Sequence, residues 1–570
     1  MLRRAGSSPA SRTDGPPCPV REGTRKGVCV VSRYSRRAFL AGATVTVLAG
    51  CGTSEGSDPD STPSREVPEA HYVFANAATA PTLDPSLTDN LETNRIARQV
   101  LDGLVAPDPL TGDPTAALAT AWRASEDGLS WDFALRDDVL FHDGSTFDAE
   151  AVVRNLDRWA AASVRDTSTG RHSLFDAVFR RGTPQGSVYR ACEAVDSHKI
   201  RIHLTRPYPA LPKALTHPAF GIAAPNCISS DSVGTSPVGT GPFKVREGLE
   251  AGAGQRPGQS VILEVADTYW GELGPLGTLE FVAIPDSELR YVALRTGRVD
   301  GYDLVGLDAF APLAREAVQV LQRDPYSVAY LGIHGGSGLL SDINLREALM
   351  ASVDRQAIVR DHFPEGTTIA QEFLPARFNV PDDDLGYPGY NPQQARDLLK
   401  KSKYDGTPLR FLYPTGASRQ WALEPERLYA DISASLARAG FEITPVPVPW
   451  SVYAETLRTR SEEHDMFLFG ADGGFRDPDY FASTLFSAPT PELDLDSEML
   501  RDLVDQAAQS SDGDDRQDLY RRVNRRATME KAALPLAFPT SGVAVDSRTA
   551  SFPLSSTGFE DFNAIQINQD

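Results

Sequence analysis

Pro237-Val238-Gly239-Thr240-Gly241-Pro242-Phe243 is the stretch around which the chain can be organised. Its two glycines permit close backbone approach, and its prolines fix φ and exclude a central helix. Because Lys244, Val245 and a second apolar run at 261–265 follow, the stretch predicts a tight loop leading into a strand and a hairpin. A phosphate-binding loop would need Gly-Lys-Ser/Thr entering a helix. Pro242 follows the second glycine here, which argues against that function.

The composition is that of a soluble globular protein. With 570 residues, of which 41% are hydrophobic, the chain is long enough for two to four domains. Its formal net charge of −21 argues against a nucleic-acid partner, which would need a basic face. The charge suits a protein in an aqueous compartment.

The first fifty residues differ from the rest. They carry nine Arg or Lys against two acids, so the remainder has 47 positive and 75 negative residues, a net charge of −28. Ser35-Arg36-Arg37-Ala38-Phe39-Leu40 has the twin-arginine export pattern, and the apolar run 41–49 is too short to span a membrane. Leu48-Ala49-Gly50-Cys51 is similar to a lipobox, in which Cys51 receives the lipid. Residues 1–50 are therefore predicted to be a lipoprotein signal peptide, whose excess length suggests a mis-set start.

Residues 51–70 are rich in Ser, Asp, Pro and Glu and predict a flexible tether. Anchor and tether together predict a folded body held at the outer, extracytoplasmic face of the cell membrane. Cys192 and Cys227 remain in an oxidising compartment, where a disulfide would contribute about 3–4 kcal/mol. Two buried free thiols are the open alternative. The sequence contains no Cys/His metal cluster, so no metal site is predicted.

A series of motifs resembles, in this order, family 5 of the bacterial extracellular solute-binding proteins, the dipeptide, oligopeptide and nickel-binding family of ABC importers. The resemblance covers about residues 71–570. Its motifs are Leu83-Asp84-Pro85, Leu118-Ala119-Thr120-Ala121-Trp122, the segment 135–144, Pro237 to Val245, the segments 267–271 and 294–300, Leu345 to Leu349 with Val353-Asp354-Arg355, and Tyr390-Asn391-Pro392.

The hydrophobic pattern agrees with this resemblance. From Leu409 onward, strand and helix patterns alternate, which is typical of a doubly wound lobe. The resemblance implies an α/β, periplasmic-binding-protein-like fold of two lobes (type II, cluster C-like) with an extra inserted domain. It assigns residues 71–105, 235–324 and 534–570 to lobe I, residues 106–234 to inserted domain II, and residues 325–533 to lobe II. Ligand would lie between two lobes that close by hinge motion.

Candidate ligand contacts are carried over from the family where its motifs match. They are Thr88, Asp89, Asn90, Leu91, Tyr302, Asp303, His334, Trp450, Phe475, Arg476 and Asp477. Structural alternatives stay open: a solvated loop for residues 88–91, ordinary core for Tyr302, packing for Trp450, and a solvent-facing side chain for Arg476.

Two positions depart from the family's peptide binders. Those usually carry Asp-Tyr-x-Asp/Glu-Pro, whose first Asp holds the peptide amino group, but alignment on Asp477 places Gly474 there. Asp472, two residues earlier, would substitute only if the loop shifts. His334 replaces a usual Asn. Both changes put peptide specificity in doubt.

The sequence predicts a binding protein rather than an enzyme. It contains no Gly-x-Ser-x-Gly, His-Glu-x-x-His or EF-hand motif, and no cofactor is expected. The expected partners are a peptide or other small solute, an ABC permease and, indirectly, its ATPase subunits, with a monomeric chain. The alternatives are a nickel or other metal-chelate carrier using His334, an exported lipoprotein enzyme, and a signalling lipoprotein.

Overall fold

The computed structural model of the protein describes residues 68–165, 174–179, 186–334, 338–380, 386–459, 461–487, 493 and 495–568. The predicted signal peptide, Cys51 and nearly all of the tether lie outside these residues.

Strands occur along the whole described chain. In chain order they are β1 (Ala70–Asn76), β2 (Val105–Pro107), β3 (Pro114–Ala116), β4 (Ala119–Ala124), β5 (Ser130–Leu135), β6 (Tyr189–Asp196), β7 (Lys199–Leu204), β8 (Phe243–Glu247), β9 (Ser260–Val265), β10 (Leu276–Ala283), β11 (Gly301–Asp303), β12 (Gln319–Arg323), β13 (Val328–Ile333), β14 (Thr368–Ile369), β15 (Leu409–Thr415), β16 (Ile443–Pro449), β17 (Met466–Ala471), β18 (Ala533–Phe538), β19 (Ser541–Val545), β20 (Thr549–Ser551) and β21 (Gln566–Ile567).

Helices alternate with these strands. They are α1 (Leu91–Val100), α2 (Ala149–Arg165), α3 (Leu174–Phe179), α4 (Leu211–Ala214), α5 (Pro225–Ser229), α6 (Ser287–Arg295), α7 (Leu307–Arg315), α8 (Ile343–Ser352), α9 (Arg355–His362), α10 (Pro392–Lys401), α11 (Pro425–Ala439), α12 (Trp450–Thr459), α13 (Pro478–Phe486), α14 (Glu498–Gln509) and α15 (Asp514–Glu530). None of the described helices is long and apolar enough to cross a bilayer.

Local sequence explains where these helices begin and end. Helix α11 begins with Pro425 in its first turn and ends at Gly440, whose φ of 109° lies in the left-handed region. Asn391 caps α10 by accepting a hydrogen bond from the Gln394 amide. Such boundaries were readable from the sequence.

Two mixed sheets form the body of the protein, which lies within one compact unit, Arg65–Asp570. The first sheet has the order β12-β19-β11-β1-β10-β9-β8 and the second has the order β14-β18-β13-β17-β15-β16. In the first sheet β1 runs parallel to both β10 and β11. In the second sheet β15 runs parallel to both β16 and β17.

The chain passes between the two sheets twice, and these crossovers are called the hinge below. One crossover joins β12 to β13 through residues 324–327, and the other joins β18 to β19 through residues 539–540. The assignment of the chain from Leu534 onward to the first lobe is wrong by one strand. β18 pairs with β13 in the second sheet, and only β19 returns to the first sheet. The sequence did not reveal the crossover, because both strands are apolar and fully buried.

The inserted segment between β1 and β8 forms its own sheet, with the order β4-β5-β7-β6. Its apolar side chains, such as Phe133 and Trp159, belong to the same buried cluster as Phe74 and Phe281 of the first sheet. A shared core couples this segment to the first sheet. The exact division of the chain into three regions stays a prediction.

The stretch Pro237 to Phe243 leads into β8, which pairs antiparallel with β9, so the predicted strand and hairpin are confirmed. Its glycines are needed for close approach to the end of α1. A methyl group at Gly239 would come within 2.1 Å of the Val100 carbonyl oxygen, and one at Gly241 within 2.6 Å of the Gln99 carbonyl oxygen. The Gly241 amide donates to the Val100 carbonyl at 3.0 Å. The stretch is therefore a scaffold element.

The predicted disulfide between Cys192 and Cys227 is not present in the structure. Both cysteines are buried free thiols. Cys192 lies on β6, where burial raises the pKa of its thiol to about 12. Cys227 lies on α5, and its Sγ is 3.3 Å from the Ser232 hydroxyl. The spacing of the two cysteines in the sequence permits the pair, but they do not pair in the structure.

Candidate ligand-binding cleft

Three loops of the second lobe converge at one edge of its sheet. Because β15, β16 and β17 are parallel, the residues that follow them lie on the same side. These residues include Arg419 and Gln420 after β15, Trp450 after β16, and Asp472 after β17. Ligands of open α/β sheets bind at the carboxyl ends of the strands. This edge is therefore the first candidate for a binding site.

An ion pair joins this edge to the first lobe. Arg419 donates to Glu92 of α1, with Nη1 3.3 Å from Oε2, and the two side chains are 5% and 0% exposed. The Arg419 guanidinium also lies 4.8 Å from the centre of the Trp450 ring. Stacking and pairing together fix Arg419 between the lobes.

Three polar side chains lie beside this ion pair at the hinge. Ser327 donates to the Gln420 Oε1 atom at 3.0 Å, and it lies close enough to Asp472 to lower the pKa of that carboxyl. Gln420 Nε2 and Asp472 Oδ1 are shielded from solvent and have no hydrogen-bond partner among the described residues. We call Ser327, Gln420 and Asp472 the hinge seat.

The electrostatic surroundings of the hinge seat are acidic. Burial raises the pKa of Asp472 to about 6, although Arg419 and Ser327 oppose that rise. Asp89 and Glu92 raise it further by like-charge repulsion. Since Arg419 is already paired with Glu92, the remaining charge at this place is negative.

Aromatic rings border the same region. Tyr480 of α13 stacks on His217 of the inserted segment, with ring centres 6.4 Å apart and planes 17° apart. His217 in turn contacts Phe559 edge-to-face at 4.8 Å. Burial lowers the pKa of His217 to about 3, so its ring is neutral near pH 7. The border is therefore aromatic and uncharged near pH 7.

Four fully buried charges lie on the first-lobe side of the hinge. Arg95 and Arg323 each pair with both Asp303 and Glu560, and all four side chains are 0–1% exposed. Arg323 ends β12 and also donates to Ser541, the first residue of β19, at 3.2 Å. We call these four residues the charge ring; it holds both hinge strands to α1 and to the C-terminal segment.

The charge ring is internally satisfied. Two cations balance two anions, and the Arg95 Nη1 atom donates to the Asn76 side chain at 2.7 Å. Burial opposes ionisation of Asp303, but Arg323 and Arg95 outweigh it and hold the pKa of that carboxyl below its usual range. The arrangement is therefore structural.

Further interlobe contacts lie outside the cleft. The Tyr208 hydroxyl of the inserted segment donates to Asp479 of α13 at 2.8 Å, and both residues are buried. Arg206 pairs with Asp505 of α14 at 3.2 Å. These two pairs, here called the clasp, join the inserted segment to the second lobe without reaching the hinge seat.

The predicted segment 88–91 has mixed roles. Asn90 caps α1 by accepting from the Thr93 amide at 2.8 Å, and Thr88 accepts from the Asn90 amide at 3.1 Å. Asp89 is exposed and lies within electrostatic range of Asp472 and Tyr480. Leu91 is buried beside Gly558. The structure brings Asp89 and Leu91 to the cleft and uses Thr88 and Asn90 to begin the helix.

Tyr302 and Asp303 are both fully buried on β11. Tyr302 packs in an apolar cluster with Ala75 and Leu313. It is therefore a core residue, which was the structural alternative for this position. Asp303 belongs to the charge ring.

Four of the five predicted residues of the second lobe divide between the cleft and structural roles. Trp450 lies at the cleft against Arg419. Phe475 is 3% exposed and packs on Tyr480. Arg476 donates to the Leu110 carbonyl of the inserted segment at 3.0 Å, over the Tyr326 ring. Asp477 caps α13 and pairs with Arg516 at 2.7 Å, so its carboxylate is occupied by structural partners.

His334 is not brought to the cleft. It follows β13, which runs antiparallel to β17, and its amide donates to the Asp465 carbonyl at the start of β17. The six-residue strand β13 separates it from Ser327 by roughly 20 Å. His334 contacts the His464 ring instead, at 5.9 Å.

Comparison with known proteins agrees with the geometry. The family model described as bacterial extracellular solute-binding proteins, family 5 Middle, matches residues 113–491. The chain belongs to this family. Heme-binding protein A of Haemophilus influenzae is 25% identical over 93% of this chain and 98% of its own length. The dipeptide-binding protein of Escherichia coli K12 is 24% identical over 80% of this chain and 87% of its own length.

The fold of a solved relative also matches. The periplasmic binding protein DppA of Helicobacter pylori, in complex with the peptide STSA, superposes with a TM-score of 0.77 and 23% identity. The match covers 88% of this chain and 99% of that chain. The predicted two-lobe fold of solute-binding family 5 is thereby confirmed.

Sequence reasoning missed several cleft residues, namely Glu92, His217, Arg419, Gln420, Tyr480 and Phe559. A signal for Arg419 and Gln420 was present, because they follow a strand in an alternating strand–helix pattern. Glu92 directly follows the predicted segment 88–91, whereas His217 and Phe559 come from distant parts of the chain and carried no local signal. Among the described residues, no group of three or more His, Cys, Asp or Glu side chains is placed to hold a metal ion.

Proposed function

We propose that this chain is the substrate-binding component of an ABC importer, which captures a peptide or other small organic solute between its lobes. It would pass the solute to a membrane permease, whose ATPase subunits act in the cytoplasm. The observation that carries the proposal is the hinge seat, where the strand ends of the second lobe meet the first lobe at two chain crossovers. The described strands connect the two sheets by these two crossovers alone, and two connections permit hinge closure.

The departure at Gly474 limits how a peptide would bind. Gly474 has a φ of 47°, and a methyl group there would come within 2.2 Å of the Tyr480 ring. An aspartate at this position would therefore need Tyr480 to move. Asp472, whose Oδ1 atom has no hydrogen-bond partner among the described residues, is one of the acids at the cleft.

The metal-chelate alternative has support from the comparisons, since one relative is named for heme binding and another for nickel binding. His334, on which that alternative relied, lies at the far end of β13. A peptide or other organic solute therefore remains the favoured ligand.

The relatives are named for binding rather than for catalysis, and we infer that this chain is not an enzyme. A lipid on Cys51 would hold the chain to the outer face of the membrane. We expect the chain to be a monomer. Metabolic labelling with a radioactive fatty acid should label the full-length chain and leave Cys51→Ser unlabelled.

A thermal-unfolding screen of the purified full-length protein tests the proposal. Peptide, sugar, opine and metal-chelate pools would be compared at equal concentration. A bound solute stabilises the protein by RT ln(1 + [L]/Kd), so a pool at one hundred times Kd adds about 2.7 kcal/mol. At least one pool should raise the midpoint without the solute being consumed. Turnover of that solute, or no response to any pool, would contradict the proposal.

A further inference from the structure

Arg476 of the second lobe reaches across to a turn of the inserted segment, which lies between β2 and β3. Its Nη1 atom donates to the Leu110 carbonyl at 3.0 Å, and both Nη atoms lie 3.4 Å from the Pro109 carbonyl oxygen. Arg476 is partly exposed, so water can replace these carbonyls when the contact breaks. The contact is therefore reversible, unlike the fully buried charge ring.

The turn that receives this guanidinium is fixed by its own hydrogen bonds. Asp108 Oδ1 accepts from the Leu110 and Thr111 amides, each at 2.9 Å, and the Gly112 amide donates to the Asp108 carbonyl at 2.8 Å. Such bonds between side chain and backbone hold a turn without help from neighbouring elements. They occupy amides of the turn and leave the carbonyls of Pro109 and Leu110 as a preformed acceptor for a cation.

Both sides of the contact have unusual backbone geometry. Gly112 has a φ of 77°, and a methyl group there would come within 2.7 Å of Arg476 Cδ. Arg476 has a φ of 52°, in the left-handed region that residues other than glycine rarely adopt. Strained backbone of this kind is concentrated at sites that bind or switch. The turn makes room for the arginine, and the arginine occupies that room from a strained conformation.

The same side chain contacts the hinge. The Arg476 guanidinium lies 5.6 Å from the centre of the ring of Tyr326, a residue of the crossover 324–327. Gly473 keeps the loop close to this crossover, since a methyl group there would come within 2.6 Å of Tyr326 Cβ. The turn lies on the other side of the hinge, so rotation of the lobes would carry Arg476 away from it. The contact with the turn is therefore specific to the closed arrangement.

We propose that Arg476 and the turn 108–112 form a latch, which sets how much of the solute-free protein is closed. Without solute, the lobes exchange between open and closed forms, and the latch adds its free energy to the closed form alone. Because solute enters and leaves through the open form, the latch slows both association and release. This role in exchange rests on the proposed solute-binding function, whereas the latch itself needs no solute.

Small-angle X-ray scattering of the solute-free, full-length protein tests the latch. Arg476→Ala removes the cation, and Gly112→Ala obstructs the turn from the other side. Each should lower the closed-to-open ratio about tenfold, as expected for loss of a charge-assisted hydrogen bond, and increase the radius of gyration. At saturating solute, the radius should equal that of the wild type.

Two matched controls separate the latch from the chemistry of the substitutions. Arg521→Ala removes an arginine whose ion pair with Asp518 lies within α15. Gly144→Ala adds a methyl group at a φ of 81°, where no atom lies within 4 Å. Both controls should keep the wild-type radius. The double variant Arg476→Ala with Gly112→Ala should match the single ones, because either change removes the same contact.

Solute exchange distinguishes a latch from a binding residue. With the solute that responds in the thermal-unfolding screen, stopped-flow measurements should show faster association and faster release in both latch variants. Affinity should change less than either rate, because the two rates change in the same direction. Slower association, or release at the wild-type rate, would overturn the role in exchange.

An unchanged solute-free radius in both latch variants would overturn the latch. If Arg476→Ala does not fold, Gly112→Ala decides against Gly144→Ala. The scattering measurement is independent of the screen. If no pool raises the unfolding midpoint and the radius still increases in the latch variants, the proposed solute binding is refuted and the latch stands.

Discussion

The charge ring and the hinge seat are both polar clusters at the hinge, but they are completed differently. In the charge ring, Arg95 and Arg323 each contact both carboxylates, and the four charges sum to zero. In the hinge seat, Gln420 and Asp472 each keep an open atom among the described residues, and the local charge is negative.

This difference distinguishes a structural cluster from a candidate binding site. A buried polar cluster that satisfies itself needs nothing further and fixes the backbone around it. A polar cluster that leaves a donor and an acceptor unpaired is destabilising until a ligand pairs with both. The protein therefore keeps a rigid ring on one side of its hinge and an incomplete seat on the other.

The largest expected effect comes from breaking the charge ring. Asp303→Ala leaves Arg95 and Arg323 short of a carboxylate, and loss of a buried partner costs about 3–5 kcal/mol. The free energy of unfolding from urea denaturation measures this loss. The matched control is Asp132→Ala, whose pair with Arg201 is 28% and 36% exposed and is worth about 1 kcal/mol or less. Similar losses in the two variants would mean that the ring is not the stabilising element.

Trp450→Ala removes the ring on which Arg419 stacks. We expect solute affinity to fall by about 1–2 kcal/mol, because a desolvated cation–π contact and its apolar wall are lost. Isothermal titration calorimetry with the solute selected by the screen measures the change. Leu495→Ala, at a partly buried apolar position of the second lobe, controls for general loosening. Unchanged affinity in Trp450→Ala would show that this wall lies outside the site.

The pH dependence of the seat follows from Asp472. Its pKa is raised to about 6 by burial, so its contribution to the stability of the free protein is present at low pH and lost as pH rises through about 6. Binding of a peptide amine at Asp472 would have the opposite dependence, since it needs the ionised carboxylate. Affinity for dipeptides with free amino ends should rise up to about tenfold between about pH 5 and pH 7.5.

Asp472→Asn should flatten that profile. Burial also raises the pKa of Asp102 to about 6, but Asp102 is bonded to Trp270 and Thr240 away from the seat. Its titration therefore persists in the variant, and the difference between the two proteins isolates Asp472. A profile that is the same in both would contradict the assignment.

The smallest effect is expected at the clasp. Tyr208→Phe removes a hydrogen bond to Asp479, which Ser483 and Tyr520 continue to donate to at 2.9 and 3.2 Å. Solute affinity should fall by about 1 kcal/mol, because one contact that joins the inserted segment to the second lobe is lost while the ligand loses none. A loss as large as that of a seat variant would place Tyr208 in the binding site itself.

The comparison also shows what the sequence allows one to predict. Alternating strands and helices and ordered family motifs predicted both lobes, and Gly440 and Asn391 marked helix ends correctly. The crossover at 539–540 was missed because Leu534 and Val543 are equally apolar although they belong to different sheets.

The candidate site was harder to predict. Asp303 and Asp477 are acids near the cleft, but the structure uses both in buried ion pairs. Whether a carboxylate is available to a ligand depends on which arginines the fold brings to it. Nothing in the sequence around Arg323 and Arg516 indicated that these arginines would pair with Asp303 and Asp477. His334 lies away from the cleft because β13 runs antiparallel to β17, so the carboxyl end of β13 is at the opposite edge of the sheet.

Small-angle X-ray scattering of the full-length protein, with and without the solute selected by the screen, tests the central claim most directly. If the lobes close over a ligand that completes the hinge seat, the radius of gyration should decrease on binding in the wild type. Asp472→Asn should show that decrease only at higher solute concentration. A solute that raises the unfolding midpoint and leaves the radius of gyration unchanged would contradict closure around the hinge seat.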